Sequence, residues 1–375
     1  MRQHTKVLEE RLNKIDAGEM EVVCNETKRL QRALLAKSKP SKGTNQKKKT
    51  AGSNWITEAR RHVTTGEVRR AKRCIEGDEQ SIEPSSNETF NKLAAMFPPR
   101  KNPDMLLPHP DPNATKYAHI NAIQVRESMM ELQGSGGISH MDAKVYRKVL
   151  SSKACIPESK AMCEAIAKIC NSLAAKEIAP EVTAPMRSVR IIALSKTDGG
   201  IRPVGVGEVV RRVITKTMAK VIKEDVKIAT GSIQCAGLPG ACEAAIKATE
   251  EAYQDGKTIL VLDAKSAFNI LSRSETLSSA SRIIPDAYQL FRNFYNSTTN
   301  AFYNGKTIKI QEGTIQGCGL SNSFYDVGIK PLAESMRDNE VAQIWVCDDL
   351  SASGSPGMRS TLSPKHWRKQ RTRRT

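Results

Sequence analysis

The sequence contains no Cys-x-x-Cys pair. Its cysteines are scattered at Cys24, Cys74, Cys155, Cys163, Cys170, Cys235, Cys242, Cys318 and Cys347. No histidine cluster completes a zinc site, so neither a zinc framework nor a disulfide scaffold organises the chain. Unpaired thiols point to a reducing compartment, nucleus or cytoplasm, rather than to a secreted protein. No apolar segment follows Met1-Arg2-Gln3-His4, which argues against a secretory signal. No apolar run is long enough to span a bilayer, and no internal repeat is found. Acidic residues are in deficit: 58 Lys and Arg against 40 Asp and Glu leave a net charge of +18 and a pI near 9.5. That surplus implies a polyanionic partner, nucleic acid ahead of an anionic membrane surface. A basic protein with merely solvated lysines is the plainer alternative.

A chain of 375 residues with 39% hydrophobic residues can hold two or three domains, or one large domain with extensions. Residues 1–100 read as a basic helical extension. Leu8, Leu12 and Ile15 fall on one helical face, and a low-complexity basic linker occupies 37–53. Thr64 with Glu67, and Ser85 with Glu88, have capping-box spacing, so each starts a short helix. Residues 101–188 are mostly helical. A flexible turn at Gly134-Ser135-Gly136-Gly137 precedes a helix that includes Met141–Leu150. Met162, Ile166, Ile169, Cys170 and Leu173 then share one helical face. Residues 189–355 mix strands and helices. A β-run over Val189–Leu194 leads to the turn Thr197-Asp198-Gly199-Gly200. Asn304-Gly305, flanked by Ala301-Phe302-Tyr303 and Thr307-Ile308-Lys309-Ile310, is a hairpin signal. Residues 356–375 carry no acidic residue and read as a disordered basic tail.

Within 189–355 the adjacent pair Asp348-Asp349 stands out. Short apolar runs enter and leave it, so it occupies a tight turn. Two like charges at a hairpin tip repel, and a hard divalent cation relieves that repulsion. A second apolar β-run, Thr258–Leu262, ends on Asp263. One aspartate after a strand is commonly a helix cap. Carboxylates from two neighbouring strands, however, are what two-metal phosphoryl transfer requires. Gly313-Thr314-Ile315-Gln316-Gly317-Cys318-Gly319-Leu320-Ser321 holds glycines that suit close backbone approach to a ligand or base pair. It also reads as an ordinary loop before a helix. The Leu194–Pro203 hairpin places Lys196 and Arg202 on adjacent strands, two cations that suit a triphosphate.

Taken in order, these elements resemble the polymerase core of reverse transcriptases, and most closely the non-LTR (LINE-like) retrotransposon branch. The Lys196/Asp198-Gly199-Gly200/Arg202-Pro203 hairpin is similar to the fingers motif. Asp263 with Phe268 resembles motif A, Gly313–Ser321 motif B, and Val346–Asp349 motif C. The Gly207–Arg212 and Gly237–Ala241 segments are also similar to that family. The resemblance implies an α+β fold of right-hand polymerase type, with fingers and an RRM-like palm sheet but no thumb. It implies RNA-directed DNA polymerase activity on an RNA template, a DNA primer and dNTPs. Asp263, Asp348 and Asp349 would be the catalytic metal ligands for two Mg2+ ions, with Mn2+ as a substitute. Lys196 and Arg202 would grip the triphosphate, and Ala264, Phe268, Gln316 and Gly317 would line the nucleotide site. Phe268 would stand against a 2'-hydroxyl, favouring dNTPs and disfavouring the related RNA-directed RNA polymerase reading.

Two departures accompany the resemblance. Motif C begins on Val346 where the family has an aromatic residue, and motif B has Ile315, Gly319 and Asn322 where prolines are usual. The basic stretch from Met358 replaces the family's last palm strand and thumb, so a C-terminally truncated copy is expected. An inactive remnant that only binds nucleic acid is the alternative. Oligomeric state is not encoded in any recognisable feature.

Overall fold

The computed structural model describes residues 86–355, except 112, 115, 135, 197–198, 232–233, 236–239 and 338–340, together with residue 83 and isolated positions among the first 60. The expected helix face at Leu8, Leu12 and Ile15, the linker at 37–53, the Thr64 cap and the tail at 356–375 lie outside the described residues. The chain divides into two compact units, Met1–Asp78 and Glu79–Thr375. In the first, Lys14 pairs with Glu26 at 2.7 Å. Everything below concerns the second, whose boundary at Glu79 falls inside the stretch grouped with the N-terminal extension.

Among the described residues of this unit, five α-helices precede the first strand: α1 (Asn87–Ala95), α2 (Ala122–Met130), α3 (Ala143–Ser151), α4 (Ile156–Ala175) and α5 (Pro180–Arg187). Local chemistry sets their starts. Ser86, not Ser85, caps α1, its hydroxyl accepting from the Thr89 N–H at 3.0 Å. The capping-box spacing therefore located the helix but missed its cap by one residue. Asn121 and Gln124 form a reciprocal capping box at α2, and the Asp142 side chain caps α3. In α4, Ile166, Cys170 and Leu173 are buried, as expected, and so is Cys163, while Met162 is half-buried and Ile169 is 42% exposed. At ~100° per residue, Ile169 lies roughly 60° round from Ile166, just beyond the buried arc.

The remaining elements are β1 (Val189–Ser195), β2 (Ile201–Gly207), α6 (Val209–Thr230), α7 (Ala241–Gln254), β3 (Thr258–Asp263), α8 (Ala267–Ile270), α9 (Arg273–Ile283), α10 (Pro285–Tyr295), β4 (Thr299–Tyr303), β5 (Lys306–Ile310), α11 (Ser321–Ser335), β6 (Val341–Val346) and β7 (Asp349–Gly354). They build a mixed α+β architecture with two sheets. The first has strand order β2-β1-β4-β5 and the second β3-β7-β6. Both hairpins of the first sheet fall where the sequence placed them. β1 and β2 pair antiparallel from Val189↔Gly207 to Ser195↔Ile201. The β4–β5 turn has φ 47° at Asn304 and 75° at Gly305, the double left-handed conformation that favours Asn-Gly.

Three apolar clusters hold these layers. The largest packs α2, α4, α6, α9 and α10 through residues such as Val125, Cys170, Ile214, Leu277 and Phe291. A second joins Leu93 and Phe97, from and just beyond α1, to the first sheet through Val189, Ile191, Ala301 and Ile310. The third covers one face of the second sheet with Ala333, Ile329 and Leu332 of α11 against Trp345, Leu350 and Ala352. Helix α11 belongs to two clusters: Phe324 and Val327 face the helical core, and Ala333 faces the second sheet. It joins the two bodies. Among the described residues β3 is an edge strand, with Val261 64% exposed.

Candidate functional site

The second sheet brings the expected carboxylates together. β3 and β7 pair antiparallel with Asp263 directly opposite Asp349. β6 and β7 form a hairpin closed by Val346↔Asp349, leaving Cys347 and Asp348 as the turn. Cys347 has φ 57°, a left-handed conformation that a residue other than glycine adopts at some cost. The Asp348 carboxyl is raised above the usual carboxylate range. Burial is the main cause, its own backbone hydrogen bond opposes it, Asp349 and then Asp263 add to it, and Arg202 pulls it down. Asp348 thus feels the other two acids, and the cation that acts on it comes from the other sheet.

This donor set suits a hard cation such as Mg2+, because all its side-chain donors are carboxylate oxygens. Among the described residues no group of three or more His, Cys, Asp or Glu side chains closes into a metal cage. Mg2+ is commonly held by one or two carboxylates, the rest of its shell being water and substrate phosphate. Asp263 and Asp348, on adjacent elements, meet that smaller requirement.

The glycine-rich loop is locked to the segment that follows Asp263. Gly313 N–H donates to the Leu271 carbonyl at 2.8 Å, and Thr314 N–H to the Phe268 carbonyl at 2.6 Å. Gly313 has φ 69°, and a Cβ there would stand 2.3 Å from the Phe268 and Asn269 carbonyl oxygens. Gly317 has φ 102° and would place a Cβ 2.8 Å from the Gly205 carbonyl oxygen. Gly319 approaches the Thr215–Lys216 backbone equally closely. These close approaches are to the protein's own backbone. Gly205 N–H also donates to the Gln316 carbonyl at 2.9 Å, so β2 and the loop share a ladder bond. Gln316 is half-buried and Gly317 exposed.

Phe268 is half-buried at the start of α8, its ring stacked on Tyr325 of α11 with centroids 4.5 Å apart and planes 21° from parallel. The Tyr325 hydroxyl is raised by burial first and then by Asp348, with smaller effects from Cys347, Asp326 and Asp349. Tyr325 therefore stacks on Phe268 and feels the Cys347–Asp348 turn. Ala264 is half-buried directly after Asp263. Lys196 and Arg202 are exposed on the hairpin, which is closed by the Lys196 N–H donating to the Gly200 carbonyl at 2.8 Å. Of the two cations, only Arg202 registers at Asp348.

Three residues near the turn were not singled out from the sequence. Tyr325 and Asp326 are consecutive on α11, and both are buried. Asp326 is 6% exposed, its Oδ1 has no hydrogen-bond partner, and burial pushes its carboxyl up to about 7. The third is Gln234, whose side chain hydrogen-bonds the Cys347 backbone. Helical spacing after Ser321 could have flagged Tyr325 and Asp326 as inward-facing. Nothing local marks Gln234.

No protein-family model matches this chain, and no curated protein matches it. Among solved structures, it is similar to an apo telomerase from Candida tropicalis truncated from its C-terminal domain. That similarity is 12% in identity with a TM-score of 0.38, over 49% of this chain and 47% of the telomerase chain.

Proposed function

We propose that residues 189–355 form the fingers and palm of an RNA-directed DNA polymerase of the non-LTR retrotransposon type. The reading rests on one observation above the others: Asp263 faces Asp349 across the β3–β7 ladder with Asp348 at the adjoining turn. The elements around this turn follow the order of the motifs that the chain resembles. Asp263 and Asp348 would hold Mg2+, or Mn2+ in its place, and Asp349 would add negative charge. Bound ions would supply charge neutralisation and a more acidic primer hydroxyl. The primer 3'-hydroxyl gives its proton to water, and its oxygen forms a bond to the α-phosphorus of a dNTP. The bond from that phosphorus to the β-phosphate oxygen breaks, and pyrophosphate leaves. Arg202 and Lys196 present their cations to the triphosphate. Phe268, backed by Tyr325, forms the wall that a 2'-hydroxyl would meet. Gln316 and Gly317 occupy the loop beside the nucleotide.

Primer extension with oligo(dT) on poly(rA), dTTP and Mg2+ tests this. The wild-type chain is expected to incorporate dTMP. Asp263→Ala and Asp348→Ala are each expected to lose more than about 10²-fold in rate, and Phe268→Ala is expected to raise rNTP use relative to dNTP use. Undiminished synthesis by either aspartate variant removes the site assignment. Salt-sensitive binding of primer–template by the wild type without incorporation leaves an inactive nucleic-acid binder in place of the enzyme.

A further inference from the structure

Gln234 lies beyond the end of α6, in a segment that runs beside the second sheet. It forms a parallel bridge with Trp345, and the Cys235 N–H donates to the Trp345 carbonyl at 2.7 Å. The outer edge of β6 is therefore occupied at Trp345. From this position the Gln234 side chain, in a residue only 6% exposed, reaches the turn that carries Asp348. The Cys347 N–H donates to Gln234 Oε1 at 3.0 Å, and Gln234 Nε2 donates to the Cys347 carbonyl at 3.2 Å. One primary amide thus satisfies both main-chain groups of one residue. A carboxamide carries a donor and an acceptor side by side, which suits this task.

The residue so held is the strained one, with φ 57°. It lies beyond the last strand pair of the β6–β7 ladder, Val346↔Asp349. The Cys347 carbonyl belongs to the rigid peptide plane that runs from the Cys347 Cα to the Asp348 Cα. Fixing that plane fixes the position of the Asp348 Cα and leaves the Asp348 φ as the rotation that sets where its side chain departs. We propose that Gln234 is a positioning residue for nucleotidyl transfer: its carboxamide clamps the Cys347 peptide groups and so aims the Asp348 carboxylate. This builds on the polymerase reading above for its consequence in catalysis, while the clamp itself is independent of it.

Two variants of the full chain separate the parts. Gln234→Met keeps length and removes both hydrogen bonds. Gln234→Glu keeps an acceptor for the Cys347 N–H and, when ionised, offers no donor to the Cys347 carbonyl. Residue-resolved hydrogen exchange is the readout that needs no activity, with the β1–β2 amides as an internal check on folding. In Gln234→Met the Cys347 amide is expected to exchange at least about tenfold faster, and in Gln234→Glu it stays protected. Single-turnover dTMP incorporation is expected to fall about 10- to 100-fold in both variants, while the Kd for primer–template stays at the wild-type value. Wild-type exchange at Cys347 in Gln234→Met overturns the clamp, whatever the activity. Unchanged incorporation rates in both variants of an active enzyme overturn the positioning role. An inactive wild type withdraws the polymerase reading instead, and the exchange data still decide the clamp.

Discussion

Asp326 is an acid in an unfavourable place. Its carboxyl is buried with Oδ1 unpaired, and burial raises it from the model-peptide value of 3.8 to about 7. A raised acid binds more protons in the folded than in the unfolded chain between these values. Stability contributed by the neutral form is therefore lost as pH rises from about 4 through about 7. Asp326→Asn is expected to leave stability unchanged near pH 4 and to raise it on the order of a few kcal/mol above pH 7. Urea melts of both proteins across that range check this, and parallel curves at every pH would contradict it. Residue chemistry was legible where charge sits at a strand end or turn: Asp263, Asp348 and Arg202 are placed together by the fold. Asp326 and Gln234 were not legible, because their roles depend on burial and on contacts across 113 residues of chain in the case of Gln234 and Cys347.

Helix α11 is the element on which the site depends. It supplies Tyr325 to Phe268, buries Asp326 and packs Ala333 under the second sheet. Its crossing with α9 is close at Gly328, where a Cβ would stand 2.6 Å from Thr276 Oγ1 and 3.1 Å from Thr276 Cγ2. The Thr276 hydroxyl donates to the Ser272 carbonyl at 2.7 Å, so turning it away breaks a bond and swings in the methyl group. Alanine would gain roughly 1 kcal/mol of helix propensity, but overpacking costs about 1–3 kcal/mol. Gly328→Ala is thus expected to destabilise the protein, seen as a lower urea midpoint with an unchanged slope. A gain in stability would mean that the crossing is slack. Elements with strong local signals, such as the Asn304-Gly305 hairpin and the α4 stripe, were legible in sequence. The Ser86 cap and the exposure of Ile169 were not, because neighbouring residues of similar chemistry compete for the same role and only packing decides between them.

At the scale of the molecule, charge is the property visible in composition alone. On the proposed function, a net charge of +18 predicts nucleic-acid binding dominated by phosphate contacts. The log of the affinity for primer–template is expected to fall linearly with the log of salt concentration, with a slope of about −0.7 to −0.9 per phosphate neutralised. Fluorescence anisotropy with a labelled duplex at several salt concentrations measures it, and a flat response would remove the electrostatic account. The α+β class came from the family resemblance, and individual strands and helices from Val189 onward were legible in local signals. The division into two sheets was not, since the β1–β4 pairing joins segments far apart in the chain through only two register pairs, Val189↔Ala301 and Arg190↔Phe302.

That division has a mechanical consequence. Arg202 belongs to one sheet and Asp348 to the other. Distances within a sheet are ruled by ladder hydrogen bonds and tolerate little change. The separation of Arg202 from Asp348 crosses a joint that holds α11 side chains and the backbone bonds of the Gly313–Gly317 loop. Arg202 and Asp348 attract each other across it. An ion bound between them would alter that attraction, so the spacing of the two sheets there is expected to respond to what binds.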